Sequence, residues 1–162
     1  MIWLAVIMAF VQGESQVSLV NLANTDARAP TVRTVAEFAE QEIRLVSGIH
    51  AGKPYRLRRK PSAALWFSRL DDAIAQHGES RDYLRFTYLG PNQFGKTVEA
   101  FSIPVLYFLF ELREDVICGV PTGDLADAKW NEDLRPFIER SQFADFLPSS
   151  GAGSRGGQIK AG

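Results

Sequence analysis

The clearest hydrophobic pattern in the chain lies between Thr31 and Gly48. Apolar residues recur there at steps of three and four, namely Val32, Val35, Ala39, Ile43 and Val46. This spacing places them on one face of a helix. Thr34 and Glu37 have the separation of a capping box, in which each side chain accepts a hydrogen bond from a free backbone N–H at the helix start. The pattern predicts an amphipathic helix from Thr31 to Val46, ended by Gly48.

Two further helices are predicted from the same periodicity. The first covers Ser62–Gln76 and carries Ala63, Trp66, Phe67, Leu70 and Ile74 at helical spacing. The second begins at Asp124 or Asp127 and includes Leu125, Trp130, Leu134, Phe137 and Ile138. Pro136 is expected to interrupt or kink it. The apolar residues that follow, Phe143, Phe146 and Leu147, are expected to pack back on the core.

Other segments are rich in β-branched and aromatic residues and are predicted to be strands. They are the two runs on either side of Gly13–Ser15, then Lys53–Lys60, Asp82–Leu89, Thr97–Leu112 and Val116–Val120. Pro104 in the middle of Thr97–Leu112 favours an edge strand or two short strands there. The expected fold class is therefore α+β, an antiparallel β-sheet with two to three packed helices.

The domain boundaries follow from composition along the chain. Residues 1–148 are expected to form a single α+β domain, and the Gly- and Ser-rich residues 149–162 a flexible tail. The apolar run at residues 1–15 has a second interpretation as a signal peptide. No Lys or Arg precedes Arg28, so a first strand is favoured. The run is too short to cross a bilayer as a helix, and no membrane span is expected.

Composition adds limits on function rather than a function. Apolar residues make up 46% of the 162 residues, and eleven are Phe, enough for a substantial core. The net charge of −1 provides no global attraction to nucleic acid or to an anionic membrane. Cys118 is the single cysteine, so an internal disulfide is excluded and an intracellular location is slightly favoured over secretion. No metal and no cofactor is expected.

One basic patch stands out against this neutral background. It comprises Lys53, Arg56, Arg58, Arg59 and Lys60. As a strand, the segment would direct Tyr55 and Leu57 inward and the cations outward. A charged sheet edge that prevents aggregation is the first interpretation. The patch is also the best candidate for partner binding; a protein partner is favoured, and nucleic acid is the alternative.

Two candidate reaction centres are weaker. Cys118 with His50 or His77 would make a thiolate–imidazolium pair, but a small buried cysteine is favoured because Cys118 lies in an apolar run. Residues Gly90–Thr97 match the spacing of a phosphate-binding loop. That loop needs a helix directly after it, whereas the downstream segment reads as a strand here.

Two stretches resemble the cystatin family. Asp26–Glu42 is similar to the start of the cystatin helix, with an Ala-x-Phe-Ala-x-x-Glu run at Ala36–Glu42, and Ala128–Phe137 is similar to the C-terminal Trp loop. The resemblance implies a helix packed across a curved antiparallel sheet. It also implies inhibition of papain-type proteases, with Trp130 as a contact. The Gln-Val-Val-Ala-Gly loop of that family is missing from the sequence.

Taken together, these features favour a non-catalytic protein-interaction or assembly subunit of a larger complex. The candidate partner-binding residues are the five cations of the patch and Trp130. A cystatin-like cysteine-protease inhibitor is the first alternative. A small enzyme that uses Cys118 or the Gly90–Thr97 loop is the second.

Overall fold

The computed structural model describes residues 8–11, 32–77, 86–89 and 94–147, and these ranges are mostly helical. The α-helices are α1 (Val35–Glu42), α2 (Pro61–His77), α3 (Ile103–Phe110), α4 (Gly123–Ala128) and α5 (Arg135–Ile138). Single 3-10 turns occur at Leu57–Arg59 and Ala144–Phe146, and π-helical stretches at Val98–Ser102 and Lys129–Leu134. The strands are β1 (Met8–Val11) and β2 (Asp115–Cys118).

The predicted α+β fold, with helices on an antiparallel sheet, is therefore wrong. Within the described ranges the only β-structure beyond an isolated bridge is the pair β1 and β2, which run antiparallel with Met8 opposite Cys118. A two-stranded ribbon whose strands have four residues each cannot form the sheet on which the helices pack. The strand expected at Val116–Val120 is found as β2, which starts one residue earlier and ends two residues earlier than predicted. The second run of the N-terminal hairpin and the tail at residues 149–162 lie outside the described residues.

The largest error falls on Thr97–Leu112, which is a helix rather than a pair of strands. Residues 101–108 are all buried, so this segment has no polar face and shows no helical periodicity. Pro104 lies at the start of α3, where its missing N–H does least harm. Pro104, which favoured strands in the sequence analysis, is thus accommodated within a helix.

The π-helical stretches lie directly before prolines. Ile103 donates its N–H to Val98 O, five residues back, and Arg135 donates to Trp130 O in the same way. Pro104 and Pro136 follow each of these donors and have no N–H to continue the regular ladder. The helix predicted from Asp124 or Asp127 through Pro136 is correspondingly found as α4, a π-helical stretch and α5. Its cap is Thr122, whose hydroxyl accepts from Leu125 N–H at 3.3 Å.

Helix α1 begins at the predicted capping box, four residues after the predicted start at Thr31, and it ends four residues before the predicted end at Val46. Thr34 and Glu37 form the full capping box. Asp71 on α2 adds a third contact by accepting the Val35 N–H at 2.9 Å, so the N-terminus of α1 is fixed to α2. The helix stops at Glu42, and the chain from Ile43 onward is extended. Gly48 does adopt a positive φ of 76°, but it does so in the following loop.

The core surrounds α3 and is strongly aromatic. Its largest fully buried side chains include Phe38, Phe67 and Phe137, which come from α1, α2 and α5. The predicted return of the C-terminal aromatic residues is confirmed: the Phe143 ring stacks on Phe110 at 4.3 Å, and Phe146 and Leu147 pack against the core. The predicted helix Ser62–Gln76 is also confirmed, as α2.

A polar network around Arg33 joins three parts of this core. The Arg33 Nε and backbone N–H donate to the two carboxylate oxygens of Glu111 at 3.0 and 2.9 Å. Its Nη1 donates to Glu42 Oε1 at 2.7 Å, and Gln142 donates to the same oxygen at 2.7 Å. The Tyr107 hydroxyl donates to Arg33 O at 2.6 Å. One guanidinium therefore links the ends of α1 and α3, while Glu42 extends the link to the C-terminal segment.

We expect Arg33→Ala to lower the free energy of unfolding by about 2–4 kcal/mol, because it leaves two mostly buried carboxylates unpaired. Urea unfolding checks this. The control is Arg135→Ala, which removes an exposed pair with Glu139 and should cost less than about 1 kcal/mol. An equal cost for the two variants would contradict the role of Arg33.

The same variant has an expected pH dependence. The hydrogen bonds from Arg33 lower the pKa of Glu111 below its ordinary 4.5. A lowered pKa in the fold contributes stability that is present above the ordinary value and is lost as pH falls through the folded value. The difference between wild type and Arg33→Ala should therefore shrink as the pH falls below 4.5. A difference that stays constant with pH would show that Arg33 acts through packing alone.

Candidate functional site: a basic turn and a buried glutamate

The basic patch forms a turn rather than a strand. Leu57–Arg59 is a single 3-10 turn, and Pro61 directly begins α2 instead of ending a strand. The inward positions of Tyr55 and Leu57 are as expected: Tyr55 is buried, and Leu57 packs against the core. Lys53, Arg56, Arg58 and Arg59 are exposed. We call residues 53–59 the basic turn.

The backbone of the basic turn is held at several points. Residues 43–45 pair with residues 53–55 through the hydrogen bonds Leu45 N to Lys53 O at 3.0 Å and Tyr55 N to Ile43 O at 2.8 Å. The Glu40 carboxylate accepts the Leu57 N–H at 2.8 Å, at the N-terminal end of the 3-10 turn, where an anion is favourable. The turn is therefore attached to α1 by the Glu40 side chain and to the segment after α1 by backbone hydrogen bonds, and these contacts leave its cations at the surface.

Arg58 and Arg59 have no ion-pair partner within the ranges that the structure describes. Arg56 makes a single long hydrogen bond of 3.5 Å to Glu40 O. Arg56 directly precedes the 3-10 turn with an extended backbone, and Arg58 and Arg59 lie within the turn. The structure thus brings three guanidinium groups together on one exposed turn.

Lys60, the fifth predicted cation, is directed elsewhere. Its ammonium donates to Phe94 O at 3.0 Å and lies 5.1 Å from the centroid of the Phe94 ring. It also lies 4.0 Å from Glu99 Oε1. The basic patch predicted from the sequence therefore divides into two parts. Four cations are exposed on the basic turn, and Lys60 interacts with the buried Glu99.

Glu99 is the functional-site candidate that the sequence analysis missed. Its side chain is 1% exposed and lies in the π-helical stretch that precedes α3. The Tyr88 hydroxyl donates to Glu99 Oε2 at 3.0 Å. A single acid inside the apolar run Thr97–Phe110 was the available signal, because a charged side chain is rarely buried without a partner.

The backbone at Glu99 is also unusual. Pro104 has no N–H, and Ile103 directs its own to Val98 O, so Glu99 O receives neither helical donor. The Trp66 Nε1 donates to Glu99 O at 2.9 Å and satisfies it from α2. The Tyr88 ring packs edge-on against Trp66 with their centroids 5.2 Å apart. Glu99 is therefore fixed by both its backbone and its side chain.

Burial raises the pKa of Glu99 above its ordinary 4.5, and the Tyr88 hydroxyl and Lys60 oppose that rise in part. The pKa of Tyr88 rises to about 12, first from burial and then from its bond to Glu99. Burial and the charge of Glu99 also raise the pKa of Tyr55, whose hydroxyl is buried without a hydrogen-bond partner in the described part of the chain. Both tyrosines therefore stay neutral, and Glu99 is the acid of this cluster whose pKa is raised above the ordinary value of a carboxyl group.

The segment that matches a phosphate-binding loop, Gly90–Thr97, is followed by a helix but is not directly preceded by a strand. The helix that follows Gly95 begins at Lys96, so the expected downstream strand was wrong. However, residues 86–89 just before the loop are irregular rather than a strand. A Cβ on Gly95 would lie 3.2 Å from Lys60 Nζ and 3.3 Å from Glu99 Oε1, so the space beside this glycine is already occupied by an ammonium and a carboxylate. Gly90 to Gln93 lie outside the described residues.

The remaining catalytic candidates do not assemble in the described ranges. Cys118 is exposed on β2, not buried, and the Nδ1 of His50 is buried without a hydrogen-bond partner there. His77 is the last residue of α2, and its side chain is not among those described. Searched over the same residues, the structure contains no group of three or more His, Cys, Asp or Glu that would hold a metal ion.

Trp130 lies in the core rather than on a surface loop. It is 5% exposed and belongs to the π-helical stretch Lys129–Leu134. The cystatin-like fold that the resemblance implied is contradicted by the helical architecture, and a buried indole presents no contact surface in this conformation. Among the described helices none is long and apolar enough to cross a membrane.

Comparison with models of protein families, with curated protein sequences and with solved structures finds no match.

We expect Glu99→Gln to remove a pH-dependent cost from the fold. A carboxyl group whose pKa is raised in the fold contributes stability below its ordinary pKa, and this contribution is lost as pH rises through the folded value. Starting from pH 4.5, the stability of wild type should therefore fall relative to the variant as pH rises. Urea unfolding over a pH series measures the difference. The control is Glu132→Gln, at an exposed position, which should show no such trend.

A wild-type curve parallel to that of Glu99→Gln at every pH would contradict the buried, titrating carboxylate.

Proposed function

We propose that this protein is a non-catalytic interaction subunit whose basic turn docks an acidic segment of a partner protein. The observation that carries the proposal is the combination of a fixed backbone and free cations at residues 53–59. Arg58 and Arg59 are exposed and unpaired among the described residues, whereas the backbone before them is hydrogen-bonded to the Glu40 side chain of α1 and to residues 43–45 that follow α1. A rigid turn presents its guanidinium groups with less loss of entropy on binding than a flexible loop would.

The chemistry of the turn favours carboxylates. Arginine presents a planar fork of N–H donors that binds a carboxylate through two parallel hydrogen bonds, and this protein carries three such forks on one turn. The rest of the chain offsets this charge to a net −1, so attraction is confined to the turn. A short acidic segment fits a patch of this size.

Nucleic acid is disfavoured by the aromatic residues. Proteins that bind single strands combine cations with exposed aromatic rings on which bases stack. Tyr55 is the aromatic residue of the basic turn, and its side chain is only 3% exposed. Four exposed cations without a stacking surface provide fewer phosphate contacts than double-stranded DNA binding requires.

The test measures binding of a fluorescent poly-glutamate peptide by anisotropy at low salt. We expect wild type to bind it, and Arg58→Glu with Arg59→Glu to weaken binding by about tenfold or more, since two attractive contacts become repulsive. The matched control is Arg69→Glu with Arg140→Glu, which makes the same charge change at exposed positions elsewhere. That control should keep most of the affinity.

Two outcomes would overturn the proposal. Equal weakening by both double variants would show that only net charge matters and that the basic turn is no docking site. Tighter binding of a single-stranded oligonucleotide than of the peptide, with the same sensitivity to Arg58 and Arg59, would assign the turn to nucleic acid instead. Affinity purification from the native source, with wild type and the Arg58/Arg59 variant in parallel, then identifies any protein lost with the two arginines.

A further inference from the structure

We infer that Lys60 is a reserve cation of the basic turn, which Glu99 holds away from the docking surface while its carboxylate is charged. Neutralisation of Glu99 releases Lys60 to join Arg58 and Arg59 and strengthens docking. This inference rests on the proposed function, because it concerns regulation of the same surface. It follows from the position of Lys60, one residue after the turn in sequence and yet directed to a different partner.

The position of Lys60 makes such an exchange accessible. Its backbone N–H closes the 3-10 turn by donating to Leu57 O at 2.8 Å, so the start of its side chain is fixed beside Arg59. The side chain is 39% exposed, and its contacts are concentrated at the ammonium end. Rotation about the flexible four-carbon stem therefore moves the charge to the surface without any change in backbone.

Three contacts hold the ammonium group in place, and one of them depends on charge state. Phe94 O accepts a hydrogen bond and the Phe94 ring provides a cation–π contact, both independent of protonation. Glu99 provides an ion-pair contact at 4.0 Å that exists only when the carboxylate is ionised. Loss of that contact leaves Lys60 with two modest interactions at a partly exposed site, where water and an acidic partner compete well.

The groups that face Glu99 leave it as the titrating member of the cluster. Lys60 faces it from the start of α2, and Tyr88 from residues 86–89. Tyr55 approaches from the basic turn closely enough for the charge of Glu99 to raise its pKa. Trp66 contacts the Glu99 carbonyl from α2 and carries no charge. As the pH falls through the raised pKa of Glu99, a proton from solvent binds its carboxylate, while both tyrosine hydroxyls keep their protons.

The first experiment uses Glu99→Gln at neutral pH, so that the glutamates of the probe stay ionised. We expect the variant to bind the poly-glutamate peptide about two- to fivefold more tightly than wild type, the gain that one additional exposed ion pair provides. The double variant Lys60→Gln, Glu99→Gln should show no gain over Lys60→Gln alone. A gain that persists without Lys60 would overturn the inference.

The second experiment needs no partner. Acylation of lysines by an amine-reactive reagent, read by mass spectrometry, compares Lys60 with the exposed Lys53 in the same molecule. We expect the ratio of Lys60 to Lys53 modification to rise in Glu99→Gln, because Lys60 loses its ion pair with Glu99 and is held only by the weaker Phe94 contacts. In wild type the ratio should rise as the pH is lowered through the titration of Glu99, and this needs no variant.

These readouts separate the two ideas. If wild type fails to bind the peptide but the acylation ratio rises, the proposed function is wrong, the gain in docking falls with it, and only the release of Lys60 survives. If wild type binds through Arg58 and Arg59 but the ratio is the same with and without the Glu99 charge, the proposed function stands and this inference is wrong. Circular dichroism of Glu99→Gln confirms that both comparisons are made on folded protein.

Discussion

The rest of the structure depends on the burial of the helix at residues 103–110, which has no polar face. An amphipathic helix needs cover on one side only, but a helix that is apolar all round must be enclosed by other elements. Here α1, α2, α5 and the C-terminal aromatic residues supply side chains to that enclosure. The enclosure extends beyond α5, because the ring of Phe143, which follows that helix, stacks on Phe110 at one side of the core. The arrangement is a helix inside a cluster of helices, and it leaves no place for a central sheet.

The clusters around Arg33 and around Glu99 shift the pKa of a carboxyl group in opposite directions. Arg33 meets two carboxylates with multiple short hydrogen bonds, and the pKa of Glu111 is lowered, which is the sign of a charge stabilised by the fold. Glu99 has one hydroxyl donor and a more distant ammonium, and its pKa is raised, which is the sign of a charge that the fold tolerates at a cost. The first cluster fixes structure. The second has the properties expected of a site whose state can change.

The sequence predicted what is encoded locally and failed where distant contacts decide. The capping box of Thr34 and Glu37 and the apolar stripe of α2 involve neighbours in the chain, and both were read correctly. The prediction for residues 101–108 was wrong because a fully buried helix and a buried strand are equally apolar in sequence. Pro104 then favoured strands. In the basic turn, Tyr55 and Leu57 face the core at alternate positions, as they would in a strand. The observed 3-10 turn also directs both side chains toward the core. Lys60 was grouped with its neighbours because Phe94 and Glu99, which redirect it, lie more than 30 residues away.

The π-helical stretch at Val98–Ser102 also limits how this chain can vary in length. Such a stretch holds one more residue than a regular helix for the same hydrogen-bonded closure. Loss of one residue from it would remove the π-helical bulge but would turn everything on its N-terminal side by about 100° around the axis. Glu99 would then leave Tyr88 and Lys60, and its carbonyl would leave Trp66, while α3 kept its place in the core. Variants of this protein that retain the Glu99 cluster should therefore retain the extra residue, together with the proline that frees the Glu99 carbonyl. In an alignment of such variants, a gap of one residue before Pro104 would mark those that have lost the cluster.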